Sequence, residues 1–395
     1  MPAELLLPLL LMLLLAAFVR SGFALTVLYL LLGAYLLGWF LSQQARKKIN
    51  YRRTLDTRAF TGEDIPVQLD VENNSWLPVP WLHLYESLPV ELAAGLKVRR
   101  VVSLLPHSHA AISYSLHATK RGFYPVGPLF TAFGDTLGLV EIQEFMVPAD
   151  HLTVYPKIIP LTHTALPSQS PQGSLRHHQP IFEDPTRLLR KRDYTSGDSL
   201  RHVDWKATAV VGRLQVKQYE PSIALETMIF LNLNTAEYLA RYVYDSSELA
   251  IVIAASLANW ITSKKQAVGL IANGSDPASE DRSYRPLPSR KGQEHLMQIL
   301  DVLARVQIGE RTPLIEILRN ESPRLPWGTT LIIITGQVND AFFDELFQIE
   351  RRGQNVVLIL AGYIGNASRV REQASSLGIQ VHLFQTEKDL DAWRL

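Results

Sequence analysis

The sequence predicts a three-part chain: a helical hairpin in a membrane, an all-β sandwich, and a C-terminal doubly wound α/β domain. Three observations carry this. Two apolar runs stand side by side at the N-terminus, hydrophobic alternation of period two follows them, and apolar strand-like runs alternate with helical spacing from Glu226 onward. The changes of pattern place boundaries at 1–45, 50–160, 161–220 and 221–395, the third segment being a linker with a dense charged stretch.

A chain of 395 residues has room for these units, and 47% hydrophobic against 19% charged residues excludes a disordered protein. A formal net charge of +1 supplies no global field toward nucleic acid. The absence of cysteine excludes disulfides, thiolate nucleophiles and cysteine metal sites together.

Residues 5–19 are almost wholly apolar, Arg20, Ser21 and Gly22 interrupt them, and residues 23–41 form a second apolar run. As helices the runs span about 22 and 28 Å, the second sufficient for a bilayer core. A hairpin satisfies its own backbone groups in lipid. A secretory signal is disfavoured because residues 1–4 hold no basic n-region. Arg46, Lys47, Lys48, Arg52, Arg53 and Arg58 follow the second run, against Arg20 alone in the turn. The positive-inside rule then places a two-helix protein in the cell membrane with both termini and the soluble domains cytoplasmic. Trp39 and Phe40 fall where an interfacial aromatic belt is expected.

In the next region Ile65, Val67, Leu69 and Val71 alternate with polar residues, as do Ile112, Tyr114, Leu116 and Ala118. Turn signals stand at Gly122, Gly127-Pro128, Gly134-Asp135 and Gly138. Short alternating strands at this spacing predict an antiparallel immunoglobulin-like sandwich. The stretch from Lys120 to Pro128 reads as a tight strand connection rather than a binding loop. Residues 161–185, rich in Pro, Ser, Gln and His, read as a surface linker. The neighbouring His177 and His178 are a poor chelate, because ligands on one helix sit four apart.

Between Arg192 and Glu220 the chain concentrates charge and aromatics. Asp198 is placed to cap a helix beginning near Ser199, with Leu200, Val203 and Ala207 as its apolar face and with Arg201 and Trp205 on one side. A strand, Leu214–Tyr219, is expected after Gly212. Arg187, Arg190, Lys191, Arg192, Arg201, Lys206, Arg213 and Lys217 face only Asp193, Asp198 and Asp204. Two uses fit: a docking surface for an acidic partner, or an internal ion-pair clasp with a solvated face.

Beyond Glu226, strands at 227–233, 267–272, 330–335, 355–360 and 379–384 alternate with helices at 247–264, 292–306, 341–352 and 368–377. That order predicts a parallel sheet covered on both faces, with any ligand at the carboxyl ends of its strands.

The pattern Arg192-Asp-Tyr-x-x-Gly-Asp-x-x-Arg-x-x-Asp-Trp-Lys206, followed by Gly212-Arg-Leu-x-Val-Lys-x-Tyr-Glu220, resembles the signature of the domain of unknown function 58 (DUF58) family. Lys120-Arg-Gly-x-Tyr-x-x-Gly-Pro128, Gly134-Asp-Thr-Leu-Gly-Leu139 and Val154-Tyr-Pro156 resemble that family's β-region. The resemblance implies a protein that works beside a MoxR-type AAA+ ATPase, often with other von Willebrand factor type A proteins. It makes Arg192, Asp193, Tyr194, Gly197, Asp198, Arg201, Asp204, Trp205 and Lys206 the partner-binding candidates.

The C-terminal layout resembles a von Willebrand factor type A domain, which often holds a divalent metal through Asp-x-Ser-x-Ser, a later Thr and a later Asp. Here those places read Asn232-Leu-Asn234-Thr-Ala236, Thr312 and Gly336. Hard cations prefer anionic oxygens, so this degenerate set predicts neither a metal site nor a cofactor. The expected function is a membrane-anchored, non-enzymatic scaffold or adaptor. The alternative is a metal-dependent hydrolase using Asp193, Asp198, Asp204 and nearby histidines. No P-loop, Gly-x-Ser-x-Gly or His-Glu-x-x-His pattern supports it. Nucleic-acid binding ranks last, because the net charge is near zero and aromatic interleaving is sparse.

Overall fold

Alternation of period two puts Ile65, Val67, Leu69 and Val71 on one face of a ten-residue strand, and the structure buries all four. The structure is a computed structural model and describes residues 22–134, 143–161, 183–195, 203–221, 226–277, 286–365 and 367–391. The chain divides into two units, Met1–Lys157 with Leu300–Arg305, and Ile158–Ile299 with Val306–Leu395.

The first unit begins with helix α1 (Gly22–Lys48), which runs directly into strand β1 (Ile49–Leu55). Then come β2 (Arg58–Phe60), β3 (Asp64–Asn73), β4 (Val79–Glu86), the single turn α2 (Val90–Ala93), β5 (Arg99–Leu104) and β6 (His109–His117). β7 (Gly122–Val126), β8 (Leu129–Phe133), β9 (Gln143–Val147) and β10 (Asp150–Tyr155) complete it. The strands form three sheets, ordered β1-β3-β6, β2-β10-β7 and β5-β4-β8-β9. Every pairing is antiparallel except that of β2 with β10, which is parallel and departs from the purely antiparallel expectation. One apolar core gathers Leu69, Val71, Leu82, Leu84 and Phe133, and a second gathers Ile65, Val67, Leu116, Leu152 and Val154.

A buried polar cluster ties the three sheets. Nε and Nη2 of Arg53, on β1, lie 2.7 and 2.6 Å from Oε1 of Glu86, on β4. The hydroxyl of Tyr114, on β6, donates to the other Glu86 oxygen at 2.6 Å, and Arg53 Nη1 donates to Asp150, on β10, at 2.6 Å. Burial, and then the Glu86 carboxylate, push the Tyr114 phenol far above its ordinary value.

The first expected membrane helix, 5–19, lies outside the described residues, and the second falls within α1. Among the described residues, no helix is long and apolar enough to cross a membrane. Along α1, Phe23, Tyr29, Leu30, Leu36 and Leu37 are exposed.

The second unit opens with β11 (Glu183–Asp193), the short helix α3 (Trp205–Val211) and β12 (Gln215–Pro221). Its sheet follows: β13 (Glu226–Leu231), helix α4 (Val243–Ser263), β14 (Ala267–Ala272), β15 (Leu287–Arg290), helices α5 (Gln293–Arg305, of which Leu300–Arg305 counts with the first unit) and α6 (Leu314–Glu321), and β16 (Thr330–Thr335). α7 (Asp340–Arg351), β17 (Asn355–Ala361), α8 (Ala367–Ser376), β18 (Gln380–Phe384) and α9 (Glu387–Asp391) end the described chain.

The sheet order is β15-β14-β13-β16-β17-β18, parallel throughout except at the edge strand β15. The chain winds outward from β13 in one direction and from β16 in the other. This is the doubly wound arrangement, with its switch point at the carboxyl ends of β13 and β16. Because both faces are covered, β13, β16 and β17 are buried nearly along their whole length, which is why they read as unbroken apolar runs. β15, α6 and β11 have no counterpart in the expected element list. Each is short or polar, and β11 carries charge along its length without hydrophobic alternation.

Candidate functional site

The charged segment folds as a hairpin with a helix inserted in it. β11 and β12 pair antiparallel, with Lys191 opposite Lys217, Arg192 opposite Val216 and Asp193 opposite Gln215. A bridge between Val203 and Val216 holds the far end of the connection, and the Asp204 N–H donates to the Gln215 carbonyl at 2.8 Å. Both valines are buried. Bridged to Val216, Val203 does not lie on the helix face expected for it, while Asp198 and Ser199, the expected cap and start, lie outside the described residues. The helix starts at Trp205, and Asp204 is its cap: extended at φ −90° and ψ 93°, it accepts from the Ala207 N–H at 3.1 Å. Gly212, at φ 73°, ends it in the left-handed conformation that glycine adopts without strain. The following strand starts at Gln215 and runs to Pro221, displaced slightly from the expected 214–219.

Asp204 is doubly committed. Its carboxylate caps α3 and lies 2.8 Å from the Lys191 ammonium. Those two bonds, Lys191 first, hold its pKa down at about 2. A depressed folded value means that the pairing stabilises the hairpin above the ordinary carboxylate range and is lost as pH falls through about 2. Asp204 followed by carboxyl NMR is therefore expected to titrate near pH 2 and to return toward about 3.9 in Lys191→Met; titration near the ordinary value in the unaltered protein would refute the clasp.

The remaining candidates separate into those that hydrogen-bond within the hairpin and those left in water. The Gln215 side-chain amide donates to the Asp193 carboxylate, and the Gln215 N–H donates to Thr208 Oγ1 at 3.0 Å. Arg192 Nη1 donates to the Asp193 carbonyl at 3.1 Å and to Thr195 Oγ1 at 3.0 Å, and the Tyr194 N–H donates to the Leu214 carbonyl at 2.8 Å. These groups stitch the hairpin. By contrast Trp205 is 68% exposed, Val210 84%, and Val211, Leu214 and Lys206 are also exposed; no side chain of α3 is buried. Gly197, Asp198 and Arg201 lie outside the described residues.

At the sheet's switch point a second constellation forms. Asn232 stands at the end of β13, Asn273 at the end of β14 and Thr335 at the end of β16, all buried. Asn232 Nδ2 donates to Thr335 Oγ1 at 2.8 Å, while its Oδ1 accepts from the Asn234 N–H at 3.0 Å and from Asn273 Nδ2 at 2.8 Å. Asn273 Nδ2 also donates to the Thr312 carbonyl at 3.0 Å, and its Oδ1 accepts from the Leu233 N–H. Asn234 Oδ1 accepts from Ala236 and Arg311 N–H groups, both at 3.3 Å.

The structure thus brings Asn232, Asn234 and Thr312 to one place, but the amide oxygens are spent on one another and on the backbone. Tyr238 packs over Gly336, where any Cβ would come within 2.2 Å of its ring. A carboxylate at 336 and this tyrosine are therefore sterically incompatible. Asn273, Thr335 and Tyr238 are not among the residues to which the sequence pattern points. Asn273 carried a readable signal, a polar residue closing a strand beside the switch point.

Residues 190–365 match the family model described as "Protein of unknown function DUF58". The chain carries a DUF58 family domain. The matched span runs from the end of β11 through the hairpin, α3 and the sheet as far as the turn after β17, so the DUF58 domain contains both constellations. A curated relative, "Uncharacterized protein YeaD" of Bacillus subtilis (strain 168), is 23% identical over 312 residues, covering 77% of this chain and 73% of the relative.

Among solved structures, an aerotolerance-related membrane protein from Bacteroides fragilis is similar at 12% identity with a TM-score of 0.31, covering 42% of this chain and 94% of that one. A von Willebrand factor type A protein from Catenulispora acidiphila is similar at 12% identity with a TM-score of 0.30, covering 45% of this chain and 42% of that one. A CARDB domain from Pyrococcus furiosus is similar at 14% identity with a TM-score of 0.19, covering 27% of this chain and 91% of that one. The fold rests on its own strand order and register, not on these likenesses.

Proposed function

We propose that this protein is a membrane-anchored, non-enzymatic adaptor that presents its DUF58 domain to a MoxR-type AAA+ ATPase, with other von Willebrand factor type A proteins as further partners. The observation that carries the reading is the division of labour around α3. Asp204, buried, fastens the helix to the hairpin, while Trp205 and its apolar neighbours are left in water. A rigidly held exposed tryptophan is a favoured anchor of protein interfaces. The basic residues around it suit an acidic partner. The anchoring part of the proposal rests on the apolar runs 5–19 and 23–41 and on the basic residues that follow them.

The enzymatic alternative has less to work with. Asp204 is ion-paired and strongly acidic, far from the poise of a general acid or base at neutral pH. Among the described residues no group of three His, Cys, Asp or Glu is placed to hold a metal.

Affinity recovery from solubilised membranes tests the proposal. The unaltered chain is expected to bring down an AAA+ ATPase. Trp205→Ala is expected to weaken that pair by about 2 kcal/mol or more, ~30-fold in affinity, while changing stability by no more than about 0.5 kcal/mol because the indole is exposed. Full recovery by the variant would remove α3 from the interface, and a protein that always purifies alone would sink the adaptor reading.

A further inference from the structure

We infer that the end of the β-region beside α1 rests on the lipid surface through Trp76 and Leu105, an inference that depends on the membrane anchoring proposed above. α1 ends at Lys48 and β1 starts at Ile49 with no residue between them. Ile49 pairs with Asn73, at the end of β3, and the Asn74 N–H donates to the Lys48 carbonyl at 2.9 Å. The β3–β4 loop therefore lies against the end of the helix. The β5–β6 loop joins it, because the His107 N–H donates to the Ser75 carbonyl at 3.2 Å.

A buried amide fixes the two loops as one piece. Asn73 Nδ2 donates to the Leu77 carbonyl at 2.8 Å in one loop and to the Leu105 carbonyl at 3.0 Å in the other. Its Oδ1 accepts from the Ser75 N–H at 3.0 Å, and the Ser75 hydroxyl accepts from the Leu77 N–H at 3.1 Å. Asn73 and Ser75 are both buried. With the polar groups turned inward and satisfied, the apolar residues point out: Trp76 is 66% exposed and Leu105 71%.

The helix end beside them decides what these side chains meet. From Leu41, the last residue of the apolar run, to Lys48 is about 10 Å along the axis. The headgroup layer of a leaflet is roughly 5–8 Å thick. Any tilt of the helix shortens the gap, and the indole adds its own reach. Tryptophan is favoured at headgroup level, where its ring is apolar and its N–H stays wet. Arg46, Lys47 and Lys48 supply positive charge at the same depth, which favours an anionic leaflet. The opposite end of the same β-region has no such continuity with the helix: Leu96 lies there, beyond the Tyr85–Arg99 end of the β4–β5 ladder.

The chain has no cysteine, so a single one reports its own position. Trp76→Cys, Leu105→Cys and, as control, Leu96→Cys are labelled in the full-length chain with an environment-sensitive fluorophore. The proteins are reconstituted into phosphatidylcholine–phosphatidylserine vesicles and tested for resistance to alkaline extraction. Labels at 76 and 105 are expected to shift to the blue and to lose most of their emission to headgroup-proximal nitroxide lipids, while the label at 96 does neither. An extraction-resistant protein whose labels at 76 and 105 behave like that at 96 overturns the inference and leaves the anchor intact. Release of the protein by alkaline extraction overturns the anchor, and this inference with it.

Discussion

Replacing Glu86 by alanine is expected to destabilise the β-region by about 3–5 kcal/mol, the range for breaking a buried ion pair on one side. Glu86 is 2% exposed, and its carboxylate takes two nitrogens of Arg53, whose side chain is 3% exposed, and accepts the Tyr114 hydroxyl. Its loss leaves the guanidinium with Asp150, whose side chain is half exposed, and with the Pro148 carbonyl at 3.3 Å. The phenol loses its acceptor as well. Hydrogen exchange of core amides on β4 and β6 reads this out, with protection expected to fall by roughly two to four orders of magnitude. Glu86→Gln keeps an acceptor for Tyr114 and is expected to cost less. The double change Arg53→Met with Glu86→Leu is expected to recover much of the loss, since apolar replacements of a buried pair are often neutral. A single variant that loses less than about 1 kcal/mol would mean that Asp150 alone suffices for Arg53.

Asn232→Ala carries the second large effect, about 2–3 kcal/mol on the α/β sheet. The side chain is fully buried and serves three partners, so its removal strands the Asn234 N–H and one Asn273 amide hydrogen and leaves the Thr335 hydroxyl with only the Gln337 carbonyl, at 3.3 Å. Each unmet buried group carries a desolvation cost. Asn232→Asp preserves both acceptor roles but puts a charge among neutral amides, so its carboxyl is expected to titrate above the ordinary range. Thermal unfolding followed by near-ultraviolet circular dichroism measures the stability change. Set against Trp205→Ala, the two variants are expected to dissociate: Asn232→Ala lowers the melting temperature and spares ATPase recovery below it, while Trp205→Ala does the reverse. If both variants lost recovery in proportion to stability, α3 would have no specific role.

Much of the α/β sheet was legible because a strand buried on both faces must be apolar throughout. β16 falls at its expected bounds, and β17 and β18 within one residue of theirs. The β-region showed itself through Ile65–Val71 and Ile112–Ala118, where one face is wet and the other dry. What the alternation could not convey was pairing between strands distant in sequence, so β2 beside β10 in parallel came only from the structure. The hairpin was harder still. By spacing, Asp198 reads as a cap and Asp204 as a residue inside the helix. That Asp204 caps α3 follows from Val203 pairing with Val216, a contact that local spacing does not record. The same limit applied to the split between clasp and docking face, because burial of Asp204 and exposure of Trp205, one residue apart, are decided by packing alone.

The junction of α1 with β1 has a bearing on cleavage. Arg46, Lys47, Lys48, Arg52 and Arg53 make the densest set of trypsin-type bonds in this part of the chain. A protease must draw out an extended segment of substrate. Here the first three residues lie in the last turns of a helix, and the other two lie in a strand paired across its whole length with β3. With no slack between the helix and the ladder, separation of the β-region from α1 at this cluster has to wait for the helix end to fray or for the β-region to open. The rate of such release would follow the stability of a domain edge rather than the abundance of cleavable bonds.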